Sequence, residues 1–292
     1  MFRPGRSLRA EPFVLLWNPD ANGLASGFSF LRAVAEVTLA LTFPDKLPEK
    51  LPLMAKQHTE MTVAKTVMEL PDTKTVRLGW PEGYPSEFKT GQFITLAFPD
   101  RPRYRRAYSL SSCELDKGYF EVTIKRDGKM GTRIVDWTEE GDLIHVLPPV
   151  GKFQPVFEPE GMHLICIAGG SGVTPYRGFA REATRLSKNT RITILYSCRT
   201  TDDIIFNDEF RELESQNPNL EFKVTCTRLA EDDPWTGRRG RIDAGWIKEQ
   251  IDDLETSVFY ACGPTGLVEG TENLVKGELG VPKSQVKLEK WG

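Results

Sequence analysis

The chain has 292 residues, and its 38 Lys and Arg against 41 Asp and Glu leave a net charge of -3, a balance with no overall pull toward nucleic acid or an anionic membrane. Apolar residues at 39% together with 25 glycines describe an ordinary globular composition and exclude collagen, coiled coil and a wholly disordered chain. No stretch reaches the ~20 apolar residues of a membrane span: the best, Phe28 to Phe43, is broken by Arg32 and Glu36, so a soluble protein of about two domains is expected.

Residues 1–58 carry scattered Gly, Pro and Asn, a helix-like run around Phe28 to Leu41 and the Pro-punctuated Phe43-Pro44-Asp45-Lys46-Leu47-Pro48. The early Arg3, Arg6 and Arg9 followed by Phe13 to Trp17 lack the longer apolar core of a secretory signal. The segment is read as an extension of unknown role.

From 59 to 157 the pattern changes to short β-branched or alternating runs: Met61 to Met68, Thr75 to Leu78, Gln92 to Ala97, Arg106 to Leu110, Tyr119 to Lys125 and Leu143 to Leu147. Turn residues such as Pro81, Gly83 and Asp127-Gly128 separate several of them, which predicts an antiparallel barrel or sandwich. A short helix is predicted from Thr132 to Trp137.

After the Pro-containing seam Phe153 to Pro159, residues 158–292 alternate strands and helices. Strand-like runs are Leu164 to Ala168, Ile192 to Tyr196, Phe222 to Thr225 and Ser257 to Tyr260. Helix-like segments are Arg177 to Leu186, Ile204 to Glu214, Ala244 to Ile251 and Gly266 to Gly277. This alternation predicts a Rossmann-like parallel α/β sheet wound by crossover helices, and the near-continuous apolar strands fit burial on both faces.

Several local features can carry chemistry. Ala168-Gly169-Gly170-Ser171-Gly172-Val173-Thr174-Pro175 follows an apolar strand and opens a helix. Its glycines allow close backbone approach, and helix N-terminal amides face an anion. The same residues also suit a plain strand-to-helix turn, and the spacing is not Gly-x-Gly-x-x-Gly. A second such loop, Cys262-Gly263-Pro264-Thr265-Gly266, falls at the same sheet edge. In the first half, alternation sets Arg106 and Tyr108 on one face of a strand, a guanidinium for a phosphate beside a phenol for a flat ring; a solvated basic edge strand is the competing reading. Asp127-Gly128-Lys129-Met130-Gly131-Thr132 reads either as a helix start suited to a diphosphate or as a hairpin turn.

Metal and nucleophilic chemistry find little support. The three histidines, His58, His145 and His163, lack ligand spacing, and neither Gly-x-Ser-x-Gly nor His-Glu-x-x-His occurs. The five cysteines, Cys113, Cys166, Cys198, Cys226 and Cys262, are too widely spaced for a disulfide framework or an iron–sulfur centre. A reducing, cytoplasmic compartment is expected, with no metal site.

Taken in order, these motifs resemble the ferredoxin–NADP reductase-like flavoprotein family from about residue 60 to the end. Arg106-Ala107-Tyr108-Ser109 is similar to its Arg-x-Tyr-Ser flavin motif, and Gly131-Thr132 falls where the family places a small pair on the flavin diphosphate. Pro149-Val150-Gly151-Lys152-Phe153 resembles the run closing the flavin domain, with Pro148 in place of a glycine. Ala168 to Pro175, Ser197-Cys198-Arg199, Asp203 to Phe206 and Cys262-Gly263-Pro264 resemble the nicotinamide half.

The resemblance implies a six-stranded antiparallel flavin barrel followed by a five-stranded nucleotide domain, with FAD favoured over FMN. Arg106 with Ala107 would hold the diphosphate, Tyr108 would stack on the isoalloxazine, Ser109 would bond near its N5, and Ile124 would border the flavin. Gly170, Thr174, Pro175, Cys262, Gly263 and Pro264 would receive the nicotinamide nucleotide, with Thr174 and Cys262 flanking its ring. Ser109, Cys262 and Glu289 are the candidate catalytic residues. Trp291 is either a ring cover or an apolar anchor for the tail. Arg199 and Arg228, with Arg238 and Arg239 near in sequence, lean toward NADPH over NADH. The implied activity is hydride transfer from NAD(P)H to FAD and single-electron delivery to a separate protein, a ferredoxin, oxygenase component or cytochrome. Arg103, Arg105 and Lys152 are candidate contacts for an acidic carrier. A flavin-binding regulatory subunit and a free flavin reductase are the alternatives.

Overall fold

The computed structural model describes residues 58–84 and 87–291; the helix-like run around Phe28 to Leu41 lies outside the described residues. Six antiparallel strands come first: β1 (Thr59–Leu70), β2 (Thr73–Gly79), β3 (Phe93–Ala97), β4 (Arg106–Ser109), β5 (Tyr119–Lys125) and β6 (Leu143–Val150). Their order is β4-β3-β6-β1-β2-β5. An isolated bridge between Leu110 and Val122 joins the two outer strands and closes the sheet at one end. Strand alternation turns Met61, Val63, Val76, Leu78, Ile94 and Leu96 inward to one apolar core.

Asp127 to Thr132 is not a hairpin turn. Helix α1 (Gly128–Trp137) starts there, longer than the predicted Thr132 to Trp137. It lowers Met130 and Ile134 into the barrel core. Gly131 meets the barrel so closely that an added Cβ would stand 2.4 Å from the Lys125 carbonyl oxygen. Packing alone therefore requires a glycine at this position.

The second sheet holds β7 (His163–Gly169), β8 (Arg191–Cys198), β9 (Leu220–Cys226), β10 (Arg238–Arg239), β11 (Ser257–Pro264) and β12 (Val286–Trp291). The strands are parallel in the order β10-β9-β8-β7-β11-β12. Their connections are helices α2 (Thr174–Arg185), α3 (Asn207–Gln216), α4 (Ala244–Lys248) and α5 (Thr265–Glu272), the last prolonged by a π-helical turn, Asn273–Glu278. Pro175 is accommodated in the first turn of α2, where its missing N–H costs no helical bond. Along β7, Leu164, Cys166 and Ala168 join one core with α2 and α3, while Ile165 and Ile167 join another with α4. Both sheet faces are thus covered, which explains the unbroken apolar runs.

Among the described residues the sheet has six strands where five were expected. β12 is an edge strand that alternates with Lys287, Glu289 and Lys290, so its sequence resembles a polar tail. β10 is two residues long and held by a loop in which Arg239 donates to the carbonyls of Ala230 and Asp233. Strand order reverses at β7, with β8 on one side and β11 on the other. In open parallel sheets, ligands sit outside the carboxyl ends at such a point. No helix among the described residues is long and apolar enough to cross a membrane.

Candidate active site

A cleft of about 310 Å³ opens where the barrel meets that switch point. Its barrel wall is β4 from Arg106 to Ser109, β5 from Thr123 to Lys125, and Gly128 and Met130 at the start of α1; its other wall is Ser171, Thr174 and Trp291. β4 pairs with β3 on one side and meets β5 on the other only through the Leu110–Val122 bridge. The Arg106 guanidinium lies over the Tyr104 ring at 4.6 Å and donates to the Arg105 carbonyl at 2.9 Å. Among the described residues it has no carboxylate partner. Burial holds the Tyr108 phenol above its ordinary pKa, so it remains neutral. Lys125 Nζ reaches Asp72 at 3.1 Å and Asp203 at 3.3 Å, crossing from the barrel to the wound sheet.

On the opposite wall, β7 ends in a 3-10 turn, Gly170–Val173, that runs straight into α2. A Cβ on Gly172 would stand 2.0 Å from the Cys262 carbonyl oxygen, whereas one on Gly170 would meet nothing within 4 Å. Gly172 therefore serves packing between the ends of β7 and β11. Gly170, with φ +54°, supplies the left-handed turn on the open side. Thr174 Oγ1 donates to the Ser171 carbonyl at 2.6 Å, tightening the entry to α2.

The walls meet at Glu289. Ser109 Oγ, from the barrel, donates to Glu289 Oε2 at 3.0 Å, and the Cys262 thiol faces the same oxygen at 3.8 Å. The pairing follows from register, because Glu289 of β12 stands directly beside Cys262 of β11. Burial raises the Glu289 carboxyl above the ordinary range, only partly opposed by its bonds to Ser109 and Cys262. The buried Cys262 thiol is pushed well up and stays protonated. Two residues past Glu289, Trp291 lines the cleft and also packs on the core beneath the sheet.

The structure therefore brings Arg106, Ala107, Tyr108, Ser109, Ile124, Thr174 and Trp291 to one cleft, with Cys262 and Glu289 behind Ser109. Gly131, Thr132, Gly170, Pro175, Gly263 and Pro264 do not line it. Arg199 is turned to Asp203, donating through Nε at 3.1 Å and Nη2 at 2.6 Å. Asp203 is pulled down to about 2, its two cationic partners outweighing the opposing effect of burial. Arg228 is exposed and joined to Arg199 through its backbone N–H. Sequence reasoning named Ser171 and Met130 only as members of longer runs and missed Tyr104, Thr123 and Lys125. Only the position of Lys125 at the end of the strand containing Ile124 could have pointed to it.

These residues fit a flavin. A guanidinium free of carboxylates suits a diphosphate, a neutral half-buried phenol suits an aromatic ring face, and the cleft volume falls at the small end of ligand pockets. A closed barrel and a wound parallel sheet sharing one cleft define a dinucleotide-binding flavoprotein. Residues 55–154 match the oxidoreductase FAD-binding domain and residues 166–273 the oxidoreductase NAD-binding domain. The chain belongs to the ferredoxin–NADP reductase-like flavoprotein family.

It is 30% identical over 193 residues to the glycine betaine monooxygenase reductase subunit of Chromohalobacter salexigens, covering 65% of this chain and 52% of that one. It is 28% identical over 212 residues to ferredoxin–NADP reductase B of Sorangium cellulosum, covering 70% and 85% respectively. The fold matches the FAD/NAD-binding domain of nitric oxide dioxygenase from Vibrio cholerae with a TM-score of 0.69 at 23% identity, covering 81% of this chain and 100% of that domain. The chain spans about half the length of the first curated relatives it matches.

Proposed function

We propose that this chain is an NAD(P)H-dependent flavoprotein reductase that takes hydride from NAD(P)H onto FAD and passes single electrons to a separate redox protein. Bound FAD supplies the exchange between a two-electron hydride and one-electron steps. The carrying observation is the convergence of Ser109, Cys262 and Glu289, drawn from both sheets, behind a cleft whose barrel wall bears an Arg106 without a carboxylate partner.

In this reading Arg106 and Ala107 bind the flavin diphosphate with help from the start of α1 at Gly131 and Thr132, and Tyr108 stacks on the isoalloxazine beside Ile124. Thr174 and Cys262 orient the nicotinamide, while Gly170, Pro175, Gly263 and Pro264 shape the loops that receive its nucleotide. Ser109 and Glu289 hold a proton at the junction of the walls: the raised Glu289 carboxyl stores it and Ser109 Oγ relays it. Trp291 excludes water from one side of the cleft. Arg199 and Arg228 serve the adenosine end, where Asp203 competes for Arg199.

The partner is a ferredoxin, oxygenase component or cytochrome, approached through the exposed Arg103, Arg105 and Lys152. Five free cysteines support a cytoplasmic setting. Domain limits of 59–157 and 158–292 accord with the connection between β6 and β7. The test is anaerobic titration of purified protein with NADPH and with NADH. A yellow protein bleached by either supports the reading, and a colourless preparation that takes up no added flavin overturns it.

A further inference from the structure

Behind the cleft, α2 carries Arg177, Arg181 and Arg185 four residues apart, so they form one stripe along the helix. That stripe docks on carboxylates of the barrel. Arg177 Nη1 donates to Glu121 Oε2 at 2.8 Å, Arg181 Nη1 to the same oxygen at 3.2 Å, and Arg185 Nη1 to Asp116 Oδ1 at 2.5 Å. Glu121, on β5, has only 4% of its side chain exposed, and Arg177 only 7%. Arg77 of β2 donates to the other Glu121 oxygen at 3.0 and 2.8 Å. Glu209 of α3 takes Nε of both Arg177, at 2.7 Å, and Arg181, at 2.5 Å. The arginines outweigh burial and keep Glu121 ionised.

A buried ion cluster of this kind is weak evidence for stability, since desolvation offsets its attraction. Separating the halves would leave buried charges unpaired, and planar guanidinium forks accept few geometries. The cluster therefore specifies one relative placement of α2 and the barrel. Thr174, the first residue of α2 and one turn before Arg177, is a wall of the cleft facing Tyr108 and Ser109.

We infer that Glu121, with Arg177 and Arg181, is a positioning cluster that sets the gap across the cleft and so the approach of the nicotinamide to the flavin. It touches neither ring and acts through α2. The inference rests on the cleft being the flavin and nicotinamide site. Hydride transfer is sensitive to such placement, and a misplacement of ~1 Å can cost about 100-fold in rate.

The experiment compares wild type with Glu121→Gln, which keeps shape and removes charge, and with Arg181→Lys, which keeps charge and removes the fork. Flavin affinity, half-saturation by NAD(P)H, and the rate of flavin reduction in stopped flow are measured. Hydrogen exchange of the flavin-free protein supplies a readout independent of activity. Expected for Glu121→Gln are unchanged flavin affinity, half-saturation within about threefold, a reduction rate lower by about 10- to 100-fold, and faster exchange confined to α2 and β5. Arg181→Lys should fall between this variant and wild type, and it carries the test alone if Glu121→Gln does not fold. Wild-type reduction rates in both variants, or a rate loss that only follows flavin loss, overturn the positioning role. A wild-type protein that binds no flavin overturns the reading of the site instead.

Discussion

The two walls of the cleft are made of different material. The barrel wall is side chain: Arg106, Tyr108 and Lys125 project from β4 and β5, and Arg106 is exposed. The wound wall is Ser171, Thr174 and Trp291, and the first two are carried by a glycine turn pressed against the end of a neighbouring strand, with fully buried groups beneath. Capture of a ligand can thus be altered on the barrel side without disturbing the fold. Changes on the wound side reach the core first.

The sharpest way to break this contrast is Gly172→Ala. Its Cβ would overlap the Cys262 carbonyl, and overpacking of backbone against backbone should cost about 3 kcal/mol, or a fall of roughly 6–12 °C in Tm. Gly170→Ala, two residues away, pays only the left-handed backbone penalty of ~1–2 kcal/mol. Thermal denaturation of both variants checks the ranking, and equal Tm values would refute it.

The next largest effect concerns His163, buried at the start of β7 with its Nε2 2.9 Å from Thr193 Oγ1. Burial, assisted by Arg191, lowers it to about 4 from an ordinary 6.5. Above pH 6.5 the ring is neutral in both folded and unfolded chains. Between pH 6.5 and 4 the unfolded chain takes up a proton that the folded chain refuses, so stability declines as pH falls, by up to about 3 kcal/mol. Urea midpoints at several pH values should show His163→Gln losing less than wild type over that window; parallel curves would contradict the assignment.

On the barrel side, Arg106→Ala should weaken flavin binding about 30-fold, the loss of a charge-assisted bond of ~2 kcal/mol. The flavin-free variant should melt within ~0.5 kcal/mol of wild type. Flavin fluorescence titration and a melt of the apoprotein measure the two quantities. A large drop in apoprotein stability would erase the distinction between the walls.

Much of the fold is local enough to be read in the chain. The β-branched runs, the glycine turn after Leu164 to Ala168 and the alternation in Arg106-Ala107-Tyr108 each carry their own geometry. What stayed hidden depends on distant pairing. Nothing near Glu289 announces that it will lie beside Cys262, because parallel register is settled by the whole sheet. Arg177, Arg181 and Arg185 at helical spacing look like a solvated face, and it is the distant Glu121, Asp116 and Glu209 that pair them, burying Arg177 and much of Arg181. Gly131 was legible as small but not as a packing requirement, since its neighbour is the Lys125 carbonyl.

β12 has one more consequence, in the order of synthesis. A growing chain acquires Arg106, Tyr108 and Ser109 early, but Glu289 and Trp291 only with β12. Any interrupted translation product short of residue 286 would retain the basic face of the barrel and lack the acidic group that completes the junction. The ribosome thus delivers the barrel wall of the cleft well before the junction at Glu289 can be assembled.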